Sequence, residues 1–394
     1  DFRPQTARTF EVARVGRFKK GSGLPLRIPV LEMVEIGAGG GSLARIDALG
    51  RITVGPESAG ADPGPACYGR GGTQPAVTDA NLALGRYDPK KFAGGYLHLD
   101  EPAADRALQK HVGEKLGLDA GMAALGVIEM VDETMANAAR VHAIESGKSC
   151  EGRTLIAFGG GGPVHACRLA EKVGIRNVLV PGGAGVGSAI GFLRAPVGYE
   201  VVRSLYQRFS TFDLAAVNTL LADMEQEATD VVQQGSFGAS LRQSRLAYMR
   251  YVGQGHEIPV ALPARPLTEA DVPAIRAAYD EAYTAFYDRP VPGSDVEIMS
   301  YAVLVATEPD IAQPTTAETP PTKPEATHRR RVRDSATGDQ ADWAVFDRIS
   351  LRPGASLHGP AIIAEDETST LVGPGWSASI NAFGYIVLTQ ETAP

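Results

Sequence analysis

Cysteine is scarce in this chain: Cys67, Cys150 and Cys167 are the three among 394 residues, and no two show CxxC spacing. That excludes a disulfide framework and a CxxC redox or zinc motif, and it predicts a reducing compartment. No apolar run approaches the roughly 20 residues that a helical membrane span requires, and nothing at the N-terminus has the pattern of a signal peptide. A cytoplasmic location is therefore expected. Basic excess is also missing. Thirty-eight Lys and Arg stand against 46 Asp and Glu, a net charge of −8, which argues against nucleic acid and anionic membranes as partners. The one basic run, His328-Arg329-Arg330-Arg331-Val332-Arg333, follows a Pro/Thr-rich stretch and reads as a solvated linker end. His and carboxylate residues show no compact metal-ligand spacing, so no structural metal is expected. Tandem repeats are absent.

Glycine, by contrast, is abundant at 45 residues, and its densest motif carries chemistry. The apolar run Thr154 to Phe158 leads into Gly159-Gly160-Gly161-Gly162-Pro163 and then an amphipathic segment to Val173. A strand that breaks into glycines and resumes as a helix brings bare backbone N–H groups to a helix N-terminus, where phosphates and nucleotides bind. Tight strand-to-helix packing uses the same pattern, so both readings stand on these residues alone.

At 394 residues, two or three domains of roughly 100 to 200 residues are expected. Residues 1 to about 90 read as short strands and closely packed glycine turns, including Ile36 to Ser42 and Ser58 to Gly72. Residues 101–147 read as helical, with Val127, Val131, Met135 and Ala138 on one stripe and Gly147 as the C′ residue. Strands at 154–158 and 177–181, each followed by a glycine bend and a helix, predict a parallel α/β sheet with ligands at the loop edge. Residues 206–308 predict an α+β module, with helices near 212–234 and 268–286 and a strand at 296–307. A Pro/Thr-rich linker at 309–327 and a small β-rich domain at 328–394 complete the expected organisation. The first residue is Asp, and the chain reads as a fragment or a processed product.

Several segments occur together and in order: Ile36 to Ser42; Val54 to Gly72; Pro75-Ala76-Val77-Thr78-Asp79-Ala80; Ala157-Phe158 with the following glycines; Arg250 to Glu257; and Gly359 to Glu365. In this the chain resembles the ATP-dependent subunit of the hydantoinase A/5-oxoprolinase family over nearly its whole length. The superfamily also holds acetone and acetophenone carboxylase subunits. The resemblance implies an α/β fold in which residues 1–205 are part of an actin/sugar kinase/Hsp70-like ATPase lobe. It implies ATP and Mg²⁺ as cofactors, a hydantoinase B-like partner in a hetero-oligomer, and a small cyclic amide or ketone as substrate. The Asp-x-Gly-Gly-Thr phosphate motifs of such ATPases do not occur in this sequence, and the resemblance places them upstream of Asp1. Gly159, Gly160, Gly161 and Gly162 would match the loop that contacts adenosine.

Gly37, Gly39, Gly40 and Gly41 are candidates to surround an anion or a substrate carbonyl, with a packing turn as the alternative. Asp79, at an expected helix start, is a candidate catalytic carboxylate or a helix cap. His165, on the first turn after the glycines, is a candidate ligand contact, kept neutral by the helix dipole. Cys67 is a candidate nucleophile or a small buried residue. His142 reads as a core histidine, Glu145 as a partner for Arg140 or a residue facing the cleft, and Gly253 to Glu257 as a turn at a domain face rather than a catalytic group. Three functions follow: ATP-dependent opening of a cyclic amide, ATP-dependent ketone carboxylation, and a noncatalytic assembly module in the chain as isolated.

Overall fold

The computed structural model describes residues 33–309 and 321–391, together with 6–7, 10–12, 22–26 and 30–31. Contacts divide the chain into two units, Asp1–Ile190 with Ala312–Pro394, and Gly191–Ile311.

In the first unit a hairpin forms from β1 (Ser42–Ile46) and β2 (Ile52–Ser58), with Ala44 opposite Val54. Helices α1 (Val77–Ala83), α2 (Glu101–Leu108) and α3 (Ala120–Glu145) follow. Asp119 opens α3 by accepting from Met122 N–H at 2.7 Å, satisfying one of the orphan donors of a helix start. The helix buries Ala123, Ala124, Val127, Ile128 and Val131 on one stripe, as the three-to-four spacing predicts. Gly147, with φ of 64°, ends it in the left-handed conformation expected of C′. His142 is half-buried rather than a core residue, and Arg140 pairs with Glu133 at 3.0 Å, not with Glu145.

The α/β step follows as β3 (Thr154–Ile156), α4 (Gly162–Val173) and β4 (Asn177–Val180). β3 and β4 are parallel, with Leu155 opposite Val178, as two successive strand-glycine-helix steps require.

The second unit is the α+β module. Its strands β5 (Gly198–Arg208), β6 (Leu241–Tyr251), β7 (Ile258–Leu262) and β8 (Val296–Thr307) make one antiparallel sheet in the order β7-β6-β8-β5. Helices α5 (Leu214–Gln233) and α6 (Asp271–Tyr287) contribute Val217, Leu221, Met224, Ile275 and Tyr279 to its core.

Returning to the first unit, the chain forms β9 (His328–Arg333), β10 (Gln340–Asp347), β11 (Ser356–His358), β12 (Ala361–Ala364), β13 (Ser369–Val372), β14 (Trp376–Ile380) and β15 (Ile386–Gln390). Two sheets result, β9-β10-β12-β13 and β11-β14-β15-β4-β3. The second joins the terminal strands to the α/β step, because β15 pairs antiparallel with β4, Leu388 opposite Val178. The strands of 328–394 are thus β-rich as expected but share a unit with residues before 190. Each of these strands is too short to close a core alone, and the apolar side chains of β4, β14 and β15 share one core with Ala166, Cys167 and Ala170 of α4.

The basic run is a correction. His328–Arg333 is an edge strand, not a solvated linker end, because Val332 is buried and Arg330 pairs with Asp88 at 3.3 Å. Arginines suit an edge strand, where charge blocks further pairing. Of the expected linker, residues 310–320 lie outside the described residues, whereas Thr322 N–H bonds Gly354 O at 2.9 Å.

Candidate functional site

The glycine loop sits between β3 and α4, as expected. Gly159 has φ of 95°, a conformation that L side chains rarely adopt, and its N–H donates to Ala184 O at 2.7 Å. The Thr368 hydroxyl donates to Gly160 O at 2.9 Å, tying the loop to the turn between β12 and β13. At Gly159, Gly161 and Gly162, a Cβ would meet no atom within 4 Å, so the backbone borders open space. Phe158, directly before the loop, is 58% exposed, while Ala157 beside it is buried. An exposed aromatic ring, bare backbone and a helix N-terminus of positive potential therefore lie together.

Behind the loop, α4 is clamped to α3. Arg168 grips both carboxylate oxygens of Glu129, at 2.9 and 3.1 Å, and Lys172 reaches Glu129 and Glu133 at 2.9 and 3.2 Å. Bidentate pairs of this kind fix geometry as well as charge. Glu129 is held below the usual carboxylate range: burial opposes the shift, and the hydrogen bonds from Arg168 and Lys172 outweigh it.

His165 does not face the loop. It is 6% exposed, and both ring nitrogens are engaged: Nδ1 lies 2.6 Å from Asp132 Oδ1 and Nε2 3.2 Å from Asn81 Nδ2. Arg86 Nη1 donates to Asn81 Oδ1 at 3.0 Å, which turns the Asn81 amide nitrogen toward the imidazole. Nε2 is then an acceptor and Nδ1 carries the proton, a neutral ring in a buried chain Asp132–His165–Asn81–Arg86. The expectation of a direct ligand contact by His165 gives way to a packing role, since a nitrogen already bonded inside has none to present.

Asp79 is likewise internal. Its carboxylate, fully buried, accepts from Ala76 N–H at 2.7 Å, Cys67 N–H at 2.7 Å and Ala66 N–H at 3.2 Å. It occupies the third position of α1 and caps the helix while holding the loop 65–67 against it. Cys67 is fully buried, and desolvation, with Asp79 nearby, pushes its thiol far up. This corrects the nucleophile reading, since only the thiolate attacks.

The turn at 39–41 packs closely. A Cβ at Gly40 would lie 2.8 Å from Thr78 Oγ1, and one at Gly41 2.8 Å from Ser58 Oγ. Gly40 O accepts from Thr78 N–H and Oγ1–H, and Gly39 N–H donates to Ser42 Oγ. These contacts give Gly40 and Gly41 a packing explanation, whereas a Cβ at Gly39 would meet no atom within 4 Å. Gly253 to Glu257 joins β6 to β7 in the second unit, with Gln254 Nε2 donating to Tyr283 OH at 2.9 Å.

Sequence reasoning missed Asn81, Arg86 and Asp132. Asp132 carried a signal, because a carboxylate four residues after Ile128 falls on the apolar stripe of α3.

The profile of the hydantoinase/oxoprolinase family matches residues 3–201, and that of the hydantoinase/oxoprolinase C-terminal domain matches residues 212–390. The alpha subunit of caprolactamase from Pseudomonas jessenii is 34% identical over 375 residues, 92% of this chain and 53% of that protein. A crystal structure of ATP-dependent caprolactamase from the same organism superposes with a TM-score of 0.73 at 30% identity, over 96% of this chain and 55% of the other. A nucleotide-free acetone carboxylase structure superposes with a TM-score of 0.78 at 26% identity, over 93% and 54%. The chain spans about half the length of these relatives. With its mixed α/β fold and both family profiles matched in order, the chain belongs to the hydantoinase/oxoprolinase family.

Proposed function

We propose that Gly159 to Gly162 form the nucleoside wall of an ATP site in a subunit that activates the carbonyl of a cyclic amide by phosphorylation. A hydantoinase B-like partner completes the hydrolysis. The observation that carries this reading is the bare backbone of Gly161 and Gly162 beside the exposed ring of Phe158. A base or ribose can lie on backbone only where no Cβ intrudes, and an exposed ring offers it a stacking face. ATP, when bound, supplies the phosphoryl group that turns an amide oxygen into a leaving group. The residues of this chain hold the loop in shape: Gly159 by its left-handed backbone, Thr368 through Gly160 O, and Arg168 and Lys172 by clamping α4. Asp79 and His165 act as positioning residues, through backbone and through α3 respectively. Among the described residues no set of three His, Cys, Asp or Glu side chains could hold Mg²⁺.

Calorimetric titration of the chain with ADP and with adenosine tests the wall. Saturable binding is expected for both, weakened about tenfold by Phe158→Ala, because base stacking is worth roughly 1 to 3 kcal/mol. Absence of ADP binding, or ADP affinity unchanged in Gly161→Val, would refute the site.

A second reading, ketone carboxylation, is favoured by the superposition on acetone carboxylase. The parent subunit, assayed with its partner, distinguishes the two. ADP release dependent on hydantoin, 5-oxoproline or caprolactam supports amide opening; release dependent on acetone or acetophenone plus bicarbonate overturns it. If the chain binds adenosine yet shows no turnover with any of these alone, it acts as an assembly module that completes the cleft.

A further inference from the structure

The sheet of the second unit has one long open edge. β5 runs over 11 residues and pairs on one side with β8, and no described strand lies on its other side. Pairing with β8 is regular from Gly198 to Ser204, and the register shift falls beyond it, between Ser204 and Gln207. Thr307 N–H donates to Val197 O at 2.9 Å, and Val197 N–H donates to Thr307 Oγ1 at 3.0 Å. Bonded and unbonded residues alternate along an antiparallel ladder, so counting from Val197 the backbone groups of Tyr199, Val201 and Arg203 face β8. Those of Val202 and Ser204 point to the open side.

Natural sheets guard such edges with charge, proline or very short strands. β9 carries Arg329, Arg330 and Arg331, and β7 carries Pro259. β3, β11 and β13 are only three or four residues long. β5 is long and has no proline, and between Val201 and Gln207 its one charged residue is Arg203. That side chain leaves the outward face to pair with Glu227 of α5. The outward face presents instead Val202, 45% exposed, an exposed Ser204, and Tyr206, 54% exposed.

We propose that β5 is a self-association edge, through which two copies of this chain pair antiparallel with Val202 opposite Val202 of the second copy. Two four-stranded sheets then become one of eight strands. The strand suits a second copy of itself. With Val202 on the axis, Arg203 faces Val201 and no charged side chain of 198–206 opposes one of like sign, whereas an axis on Arg203 would set two guanidiniums together. A strand paired with itself makes an isologous contact, so the two-fold axis closes the assembly at a dimer. One pair of strands buries less than the roughly 1,200 Å² of a standard interface, which sets a dissociation constant on the order of 10 µM. The contact is independent of the nucleoside wall.

Sedimentation equilibrium of the 394-residue chain, from about 1 to about 300 µM, tests the pairing around that constant. A monomer–dimer equilibrium without larger species is expected. Val202→Lys and Val202→Glu each set like charges on the axis and should weaken dimerisation about fivefold, while an equimolar mixture of the two should associate about fivefold more tightly than either alone. In the unaltered chain, hydrogen exchange at the Val202 and Ser204 amides should slow as concentration rises, and exchange at Ala123 in the first unit should not change. The proposal is overturned by a chain that stays monomeric or forms larger species, by a Val202→Lys dimer of unchanged affinity, or by a mixture no tighter than its components. Exchange at Val202 and Ser204 that is independent of concentration would also overturn it, and that measurement decides even if a variant fails to fold.

Discussion

His165 Nδ1 donates to Asp132 Oδ1 across 2.6 Å, and the pair, sealed from solvent, joins the first turn of α4 to the middle of α3. The helix that follows the glycine loop is thereby anchored from inside by one hydrogen bond and from its flank by the Glu129–Arg168 pair. Asp132 Oδ2 has no partner among the described residues, so His165 is the principal group satisfying this carboxylate.

Removing the imidazole leaves a buried carboxylate unsatisfied. His165→Ala is expected to lower stability by about 2 to 3 kcal/mol, the cost of leaving a buried charged group without its hydrogen bond. Denaturant unfolding of the two proteins measures it. A loss under about 1 kcal/mol would show that solvent or a rearranged side chain takes the imidazole's place.

Asp79 binds three backbone N–H groups with one carboxylate. Asp79→Ala should cost about 2 to 4 kcal/mol, since charge-assisted bonds to buried donors are lost together. Hydrogen exchange at Ala66, Cys67 and Ala76 should accelerate more than at Ala123 on α3. Uniform acceleration would mean that the loop 65–67 is held by other contacts.

Thiol chemistry separates the three cysteines. Burial pushes Cys67 far up and Cys167 up to about 12, so neither supplies thiolate at neutral pH. Cys150 is partly exposed. Ellman's reagent at pH 8 should therefore titrate one thiol in the native chain and three after denaturation. Rapid reaction of two or more native thiols would contradict the packing around Cys67 or Cys167.

In the second unit the Arg265 guanidinium, with Thr268, holds the Asp271 carboxyl well below the usual carboxylate range. A depressed folded value contributes stability above the unfolded value, near pH 4 for aspartate, and that contribution drains away as pH falls below it. Asp271→Asn should flatten the dependence of stability on pH between about 4 and 2 and leave its slope between about 6 and 8 unchanged. Parallel curves for the two proteins in the acid range would count against the assignment.

Local signals were legible where period and turn chemistry agreed. The stripe of α3, its Gly147 stop, the strand at 296–307 and the parallel step around Gly159 to Gly162 all follow from spacing that one segment carries by itself. The edge strand His328–Arg333 was not legible. Its arginines dominate any local reading, and only pairing with β10 and the burial of Val332 make it a strand. Asp79 and His165 were found but not their direction, because a polar residue in an apolar setting has the same sequence signature whether it faces a ligand or an interior partner.

By itself the sequence determined the family, the glycine loop and the alternation of strand and helix, since those depend on residues close together in the chain. Tertiary structure alone decided that His165 turns inward to Asp132, that β15 completes the sheet begun by β3 and β4, and that Arg86 is buried without an ionic partner. Those outcomes depend on groups brought together from far apart in the chain, 33 residues for His165 and Asp132 and more than 200 for β4 and β15. Local propensity carries no information about such distant partners, and the energy of burying charge decides among them.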